Sequence, residues 1–180
     1  MSEQLALFER GRPEPEGLCY AADFVSPAIE KELILGGKRR IVSFGYRYDY
    51  NLRRLKRAQP IPAWLAELVA NVETFGGPAV RIQQVLCTEY GVGVGIGWYR
   101  DKPHFDQIFG LSLGSACKFR FRQRAGKTWD RFTINAEPRS LYMMTGASRQ
   151  VWEHSIPAVE APRYSSTFRT TNGPYPGTPT

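Results

Sequence analysis

The chain has 180 residues, of which 42% are hydrophobic and 13% aromatic, a composition typical of one globular domain and not of a disordered chain. Lysine and arginine number 24 against 17 aspartate and glutamate, a net charge of +7. The cations cluster at 38–57 and 118–124, so we expect a basic face that attracts phosphate backbones.

Cysteine usage and hydropathy narrow the class of protein further. Cys19, Cys87 and Cys117 are scattered and form no CxxC pair, which argues against a zinc ribbon or a disulfide scaffold and favours the cytoplasm. No apolar run approaches the roughly 18 residues of a membrane span. Residues 1–17 read as a polar arm without the apolar segment of a signal peptide.

The first half of the chain predicts helices and short strands. "LCYAADFVSPAIEKELILGG" predicts a strand and then a helix that Ser26 caps and Pro27 begins. "KRRIVSFGYRYDYN" alternates like a hairpin or a pair of short strands. "PIPAWLAELVANVETFGG" predicts a second helix that ends at Gly76-Gly77. Its expected buried side comprises Trp64, Leu65, Leu68 and Val72.

From residue 79 onward the sequence predicts short strands separated by Gly, Pro or Asn. "KFRFRQR" alternates cleanly, so Phe119 and Phe121 are expected to point inward and the cations outward. Seven or eight such strands after two helices predict an α+β fold: a double-stranded β-helix (jelly-roll) core with the N-terminal helices packed on one sheet.

The chain has only two histidines, His104 and His154. Non-haem Fe(II) oxygenases hold their metal with two histidines and one carboxylate. A His-x-Asp pair suits such a site, because residues i and i+2 of a strand point the same way. The keto-acid co-substrate then needs an arginine, whose guanidinium pairs with a carboxylate through two hydrogen bonds.

Several segments together resemble one family. "IGWYRDKP", "GLSLG", "FRFR", "WEHSIP" and "RYSSTFRTT", in this order, are similar to the AlkB family of Fe(II)- and 2-oxoglutarate-dependent dioxygenases. The resemblance covers residues 18–171 and includes a nucleotide-recognition lid over 37–57. The polar arm over 1–17 precedes this domain, and a loose tail over 172–180 follows it. It implies the cofactors Fe(II), 2-oxoglutarate and O2, and oxidative demethylation of alkylated DNA or RNA bases, as in DNA repair.

The resemblance makes Asp101 and His154 the metal ligands and catalytic residues, and Tyr99 stands where the family has its first histidine. The flanking "IGW" and "KP" place Asp101 in the family's carboxylate position. A second pair, His104-x-Asp106, lies five residues later, about 16 Å along an extended chain. Three alternatives stay open: a weakened metal site, His104 folding back as the third ligand, or Tyr99 binding iron as a phenolate.

The co-substrate residues also follow from the resemblance. Arg163 would pair with the far carboxylate of 2-oxoglutarate, Arg169 would lie near its metal end, and Tyr90 would hydrogen-bond it. Ser165 and Thr88 stand where the family commonly has asparagine. The expected nucleic-acid contacts in the lid are Arg40, Phe44, Tyr46, Arg47 and Tyr48, since aromatic side chains can stack on an extruded base.

Two other kinds of function remain open from the sequence. A protein of this fold with a failed metal site could still bind nucleic acid. A hydroxylase of small molecules or proteins is the third reading, because a fold does not fix a substrate. We expect a cytoplasmic monomer that does not bind membranes.

Overall fold

The computed structural model describes residues 13–36 and 41–173. Residues 1–12 of the expected arm (1–17), the cations at 38–40 with Arg40, and residues 174–180 of the expected tail (172–180) lie outside the described residues. The helices are α1 (Pro27–Gly36), α2 (Ala66–Gly76) and α3 (Gly146–Gln150), and a 3₁₀ turn spans Ala63–Leu65. No helix of the described parts is both long and apolar enough to cross a membrane.

The two N-terminal helices form where the sequence predicts them. The Ser26 hydroxyl accepts a hydrogen bond from the amide of Ile29 at 3.3 Å, which satisfies an amide at the start of α1. Leu65, Leu68 and Val72 are buried as predicted, whereas Trp64 is 54% exposed. The prediction for Trp64 was wrong because this residue lies in the 3₁₀ turn, whose three-residue repeat differs from that of the helix after it.

The strands form a double sheet and a separate hairpin. The strands are β1 (Leu18–Ala21), β2 (Ile41–Phe44), β3 (Tyr46–Asp49), β4 (Arg54–Arg57), β5 (Gln84–Tyr90), β6 (Ile96–Tyr99), β7 (Phe105–Leu113), β8 (Cys117–Ala125), β9 (Thr128–Ala136), β10 (Leu141–Met144), β11 (Glu153–Ile156) and β12 (Arg163–Thr171). The larger sheet has the order β1-β10-β7-β12-β5-β2, the smaller sheet has the order β6-β11-β8-β9, and the hairpin is β3-β4. Every ladder is antiparallel.

The segment predicted as a hairpin or a pair of short strands forms two strands, which belong to different sheets. β2 joins the large sheet beside β5, and β3 leaves it to pair with β4. Gly45 lies between them with φ +77°, and a Cβ there would collide with the carbonyl oxygen of Gln83. A glycine is therefore required where the chain leaves the sheet.

Two hydrophobic cores hold the layers together. One lies between the sheets and contains Phe119 and Phe121, which point inward as predicted. The other lies between the large sheet and the helices and contains Leu65, Val72 and Phe109. This arrangement is a double-stranded β-helix with helices on one sheet, and it confirms the predicted fold class.

A glycine in β7 gives a test of the packing between β7 and β10. A Cβ on Gly110 would overlap the ring of Tyr142, its partner on β10. We expect Gly110→Ala to lower the free energy of unfolding by about 1–3 kcal/mol, the usual effect of overpacking. Urea unfolding measures this change. Gly97→Ala is the matched control, since no atom lies within 4 Å of a Cβ there, and equal losses in both variants would contradict the packing described.

Candidate active site

The inner face of the small sheet brings together the aromatic residues around His154. Pairing of β11 with its neighbours sets His154 opposite Tyr99 on one side and opposite Phe121 on the other. The rings of Tyr99 and His154 meet edge to face, with centroids 4.2 Å apart. His154 is 1% exposed, so its imidazole is held in a closed, largely apolar setting.

Asp101 follows β6 directly and contacts both His154 and Arg169. Its Oδ2 lies 3.3 Å from Nε2 of His154. Its Oδ1 accepts hydrogen bonds from Nε of Arg169 at 3.0 Å and from Nη2 at 2.8 Å. Burial acts to raise the pKa of the Asp101 carboxyl, but the charge of Arg169 and the contact with His154 outweigh it and hold this pKa well below its usual range. Asp101 is therefore a buried carboxylate.

Arg169 extends this contact into a longer hydrogen-bond chain. Its Nη1 donates to Oε1 of Gln84 at 2.9 Å, and Nε2 of Gln84 donates to the carbonyl of Tyr46 at 2.7 Å. Because Tyr46 begins the β3-β4 hairpin, the hairpin is connected to Asp101 through two side chains. This chain of hydrogen bonds therefore links the first residue of the hairpin to the Asp101 carboxylate.

Arg149 fixes the turn that follows Asp101. This arginine, on α3, is 5% exposed, and its Nη2 donates to the carbonyls of Lys102 and Phe105, each at 2.7 Å. Two charge-assisted bonds from one buried guanidinium hold both ends of the turn.

Arg163 has unused hydrogen-bonding capacity in the core. It is fully buried, and its Nε donates to the hydroxyl of Ser112 at 3.2 Å. Its Nη1 and Nη2 have no hydrogen-bond partner among the described residues. The guanidinium lies 5.1 Å from the ring centre of Tyr90. A buried guanidinium with two free nitrogens fits a carboxylate that binds through both oxygens.

Sequence reasoning did not find Ser112, Tyr142, Gln84 or Arg149. Tyr142 is buried, stacks on Phe119 with centroids 4.4 Å apart, and burial raises the pKa of its phenol. The segment "SLYMM" has no polar periodicity that would mark this tyrosine. Gln84 and Arg149 have polar neighbours in the chain, Gln83 for the one and Ser148 and Gln150 for the other, so the local pattern does not mark either as buried.

Two neighbouring cavities of about 420 Å³ each reach the site. Tyr99 and Arg169 line both cavities, Tyr90 lines the first, and Asp101 lines the second. The second cavity is also lined by the hairpin residues Arg47, Tyr48 and Tyr50. Each cavity is within the size range of pockets that hold small ligands.

The structure separates the other expected site residues. His104 lies in the turn after Asp101, its ring 5.5 Å from that of Tyr48. Phe44 packs in the core beside the helices, and Tyr46 in the core between the sheets. Ser165 is buried on β12, where alternation puts it on the same face as Arg163 and Arg169.

The residues present fit two of the three protein positions of an iron site. Asp101 and His154 are suitable ligands: Nδ1 of His154 is buried without a hydrogen-bond partner among the described residues, and the 3.3 Å contact of its Nε2 with Asp101 lacks hydrogen-bond geometry. The family resemblance would give the third position to Tyr99, whose pKa is raised well above its ordinary value by burial and by the charge of Asp101. A protonated phenol is a poor ligand. Within 13–36 and 41–173, no three His, Cys, Asp or Glu side chains form a metal-sized group.

Comparison with known proteins gives the class of protein. The profile of the 2OG-Fe(II) oxygenase superfamily matches residues 14–173. The chain belongs to this superfamily of 2-oxoglutarate- and Fe(II)-dependent dioxygenases. Within the superfamily it is AlkB-like, and the predicted resemblance is confirmed by the following relatives and solved structures.

The similar curated proteins include two ALKBH8 proteins. The "alkylated DNA repair protein ALKBH8 homolog" of Arabidopsis thaliana is 28% identical over 78% of this chain and 51% of its own. The mouse "tRNA (carboxymethyluridine(34)-5-O)-methyltransferase ALKBH8" is 29% identical over 79% of this chain and 24% of its own. The chain thus spans about half of the plant protein and about a quarter of the mouse protein.

Solved structures match the fold at lower identity. The structure of OsALKBH1 superposes with a TM-score of 0.68 at 14% identity, covering 88% of this chain and 98% of that one. An oxidoreductase of the 2OG-Fe(II) oxygenase family from Burkholderia pseudomallei gives a TM-score of 0.59, also at 14% identity, over 86% and 84%. At this identity the two likenesses establish the fold alone.

Truncation of the two arginines of β12 should lower the free energy of unfolding by different amounts. We expect Arg169→Met to cost about 3–5 kcal/mol of the free energy of unfolding, because it leaves the buried Asp101 carboxylate unpaired. Arg163→Met, which removes a guanidinium with two unused nitrogens, should cost about 1 kcal/mol or less. Urea unfolding of the ligand-free protein compares them, and an equal loss in both variants would contradict the assigned contacts.

Substitution of Tyr99 tests the third metal position through a gain in Fe(II) affinity. We expect Tyr99→His to tighten Fe(II) binding by about tenfold or more, since a neutral imidazole replaces a protonated phenol. Anaerobic titration, with the metal-induced shift in melting temperature as the readout, measures this. His104→Ala should leave iron binding unchanged; if it abolishes binding in the wild type, His104 completes the site instead.

Proposed function

We propose that the chain is an AlkB-like oxygenase that uses Fe(II), 2-oxoglutarate and O2 to demethylate alkylated nucleic-acid bases in the cytoplasm. Its metal site would be held by Asp101 and His154 and weakened at Tyr99. The observation that carries the proposal is the cavity that joins Asp101 and Arg169 to the basic, aromatic hairpin.

The mouth of this cavity has the side chains that a nucleotide needs. Lys102 Nζ lies 5.0 Å and 5.3 Å from the ring centres of Tyr48 and Tyr50, and Tyr50 is 75% exposed. Arg47 adds a second cation at the same opening. Exposed tyrosines can stack on a base while the cations neutralise its flanking phosphates, which supports a nucleic-acid substrate.

The deeper residues would position the co-substrate. Arg163 would bind the far carboxylate of 2-oxoglutarate through its two unused nitrogens, with Tyr90 and Ser165 on the same wall. Arg169 would hold Asp101 ionised and oriented toward His154. Contacts in the ligand-free chain support these roles: Arg169 already binds Asp101, and Arg163 lies against the ring of Tyr90.

The names of the relatives agree with a nucleic-acid substrate. The plant relative is named for repair of alkylated DNA and the mouse relative for modification of a tRNA uridine. Because the chain spans only part of either relative, we extend to it the substrate class and not the particular reaction.

A second function is favoured by Tyr99. If the buried phenol excludes iron, the same cavity would bind alkylated or single-stranded nucleic acid without oxidising it. Both functions would use the same cavity mouth to bind nucleic acid. They differ only in whether 2-oxoglutarate is turned over.

Succinate release separates these functions. We expect 2-oxoglutarate turnover to rise several-fold with a single-stranded oligonucleotide that carries N-methylated bases, compared with the same unmethylated sequence. We also expect the logarithm of the binding constant to fall by about 0.7 per phosphate contact for each tenfold rise in salt.

The controls assign each outcome. Turnover seen only after Tyr99→His would favour the binding function for the natural sequence. Absence of salt-dependent oligonucleotide binding would overturn both nucleic-acid functions and leave a hydroxylase of small molecules or proteins.

A further inference from the structure

The outer face of the small sheet carries a row of stacked arginine and tryptophan side chains. The guanidinium carbons of Arg120 and Arg122 lie 5.1 Å and 4.4 Å from the ring centre of Trp98. Those of Arg122 and Arg124 lie 4.3 Å and 5.1 Å from that of Trp129. We call these five residues the Arg–Trp ladder. It crosses the sheet from β6 to β9 on the face opposite His154.

The ladder concentrates positive charge at a cost to the fold. Arg122 is directly opposite Arg131 on β9, and like charges in such positions destabilise a sheet. Strand alternation puts five cations on this face: Lys118, Arg120, Arg122, Arg124 and Arg131. The sheet is fully described, and its one carboxylate on this face is Glu153, which binds Nε of Arg122 at 2.7 Å. A surface with this excess of positive charge attracts a polyanionic partner.

The guanidinium groups keep donors for such a partner. Arg120 bonds the Ser155 hydroxyl, and Arg122 the Glu153 carboxylate, each through Nε. Every guanidinium has four further N–H donors. Stacking on tryptophan orients the groups without using those donors, and alternation spaces them about 6.7 Å apart along β8.

The ladder is continuous with the mouth of the cavity. Arg100 is exposed, lies two residues beyond Trp98 at the sheet edge, and lines the same cavity as Asp101 and Tyr48. Lys102, over the tyrosine rings, comes next. Cations therefore run from the cavity, around the β6 edge, to the outer face.

We propose that the Arg–Trp ladder is a second nucleic-acid contact, which binds the phosphate backbone of the single strand that flanks the nucleotide in the cavity. This inference rests on the proposed nucleic-acid substrate. It adds that affinity depends on the length of the strand, because only a strand that passes around β6 reaches both surfaces.

Fluorescence anisotropy with single-stranded oligonucleotides of about 4 and about 20 nucleotides tests this inference. We expect Arg120→Gln/Arg124→Gln to weaken binding of the long strand roughly 10- to 30-fold near 0.1 M salt and to lower its salt slope by about 1.4, the effect of two lost phosphate contacts. Binding of the short strand should be unchanged. Lys31→Gln/Arg81→Gln, on α1 and in the loop after α2, removes the same charge on the helix side and should change neither.

Each other outcome overturns the inference in a distinguishable way. If the ladder variant binds the long strand like the wild type, the second contact is wrong and the proposed function stands. If the wild type binds neither strand, the proposed function fails with it. Preference of the ladder for an acidic peptide over the long strand would identify a protein partner instead. Arg124→Gln/Arg131→Gln, at two exposed positions, serves if the first variant does not fold.

Discussion

The site depends on one buried ion pair between the two sheets. Asp101 follows a strand of the small sheet, and Arg169 lies on β12 inside the large sheet, so their contact fixes the distance between the layers at that point. A buried ion pair is stable only when its remaining donors and acceptors are satisfied. Gln84 accepts a hydrogen bond from the remaining nitrogen of Arg169, and His154 contacts the second carboxylate oxygen of Asp101. These contacts link Asp101, His154 and the start of the hairpin in the ligand-free chain.

Next to this ion pair lie two groups that bear differently on ligand binding. Arg163 has two buried nitrogens without a partner, at a cost to the ligand-free fold that a dicarboxylate would recover. Tyr99 is proposed to stand at the third metal position, and burial raises the pKa of its phenol well above the ordinary value. Under the proposed function, the co-substrate half of the site would retain its binding groups, whereas the metal half would have two ligands in place of three.

The strand faces and the start of α1 could be predicted from the sequence, because strand alternation and helix-capping residues are local signals. The i, i+2 pattern of "KFRFRQR" fixed the faces of Phe119 and of the arginines, and Ser26 and Pro27 marked α1. Contacts between distant strands left no local signal. Gln84, for example, meets Arg169 only because β5 and β12 pair, 85 residues apart in the chain. The outward turn of Trp64 likewise followed from a 3₁₀ turn that the helical pattern concealed.

We infer that this fold keeps a dicarboxylate site beside an incomplete metal site. Calorimetric titration of 2-oxoglutarate under anaerobic conditions, with wild type and Arg163→Met in parallel, tests this inference. We predict that the wild type binds and that the variant loses about tenfold or more in affinity, the effect of a lost charge-assisted carboxylate pair. Equal binding by both proteins, or no binding by the wild type, would contradict the account.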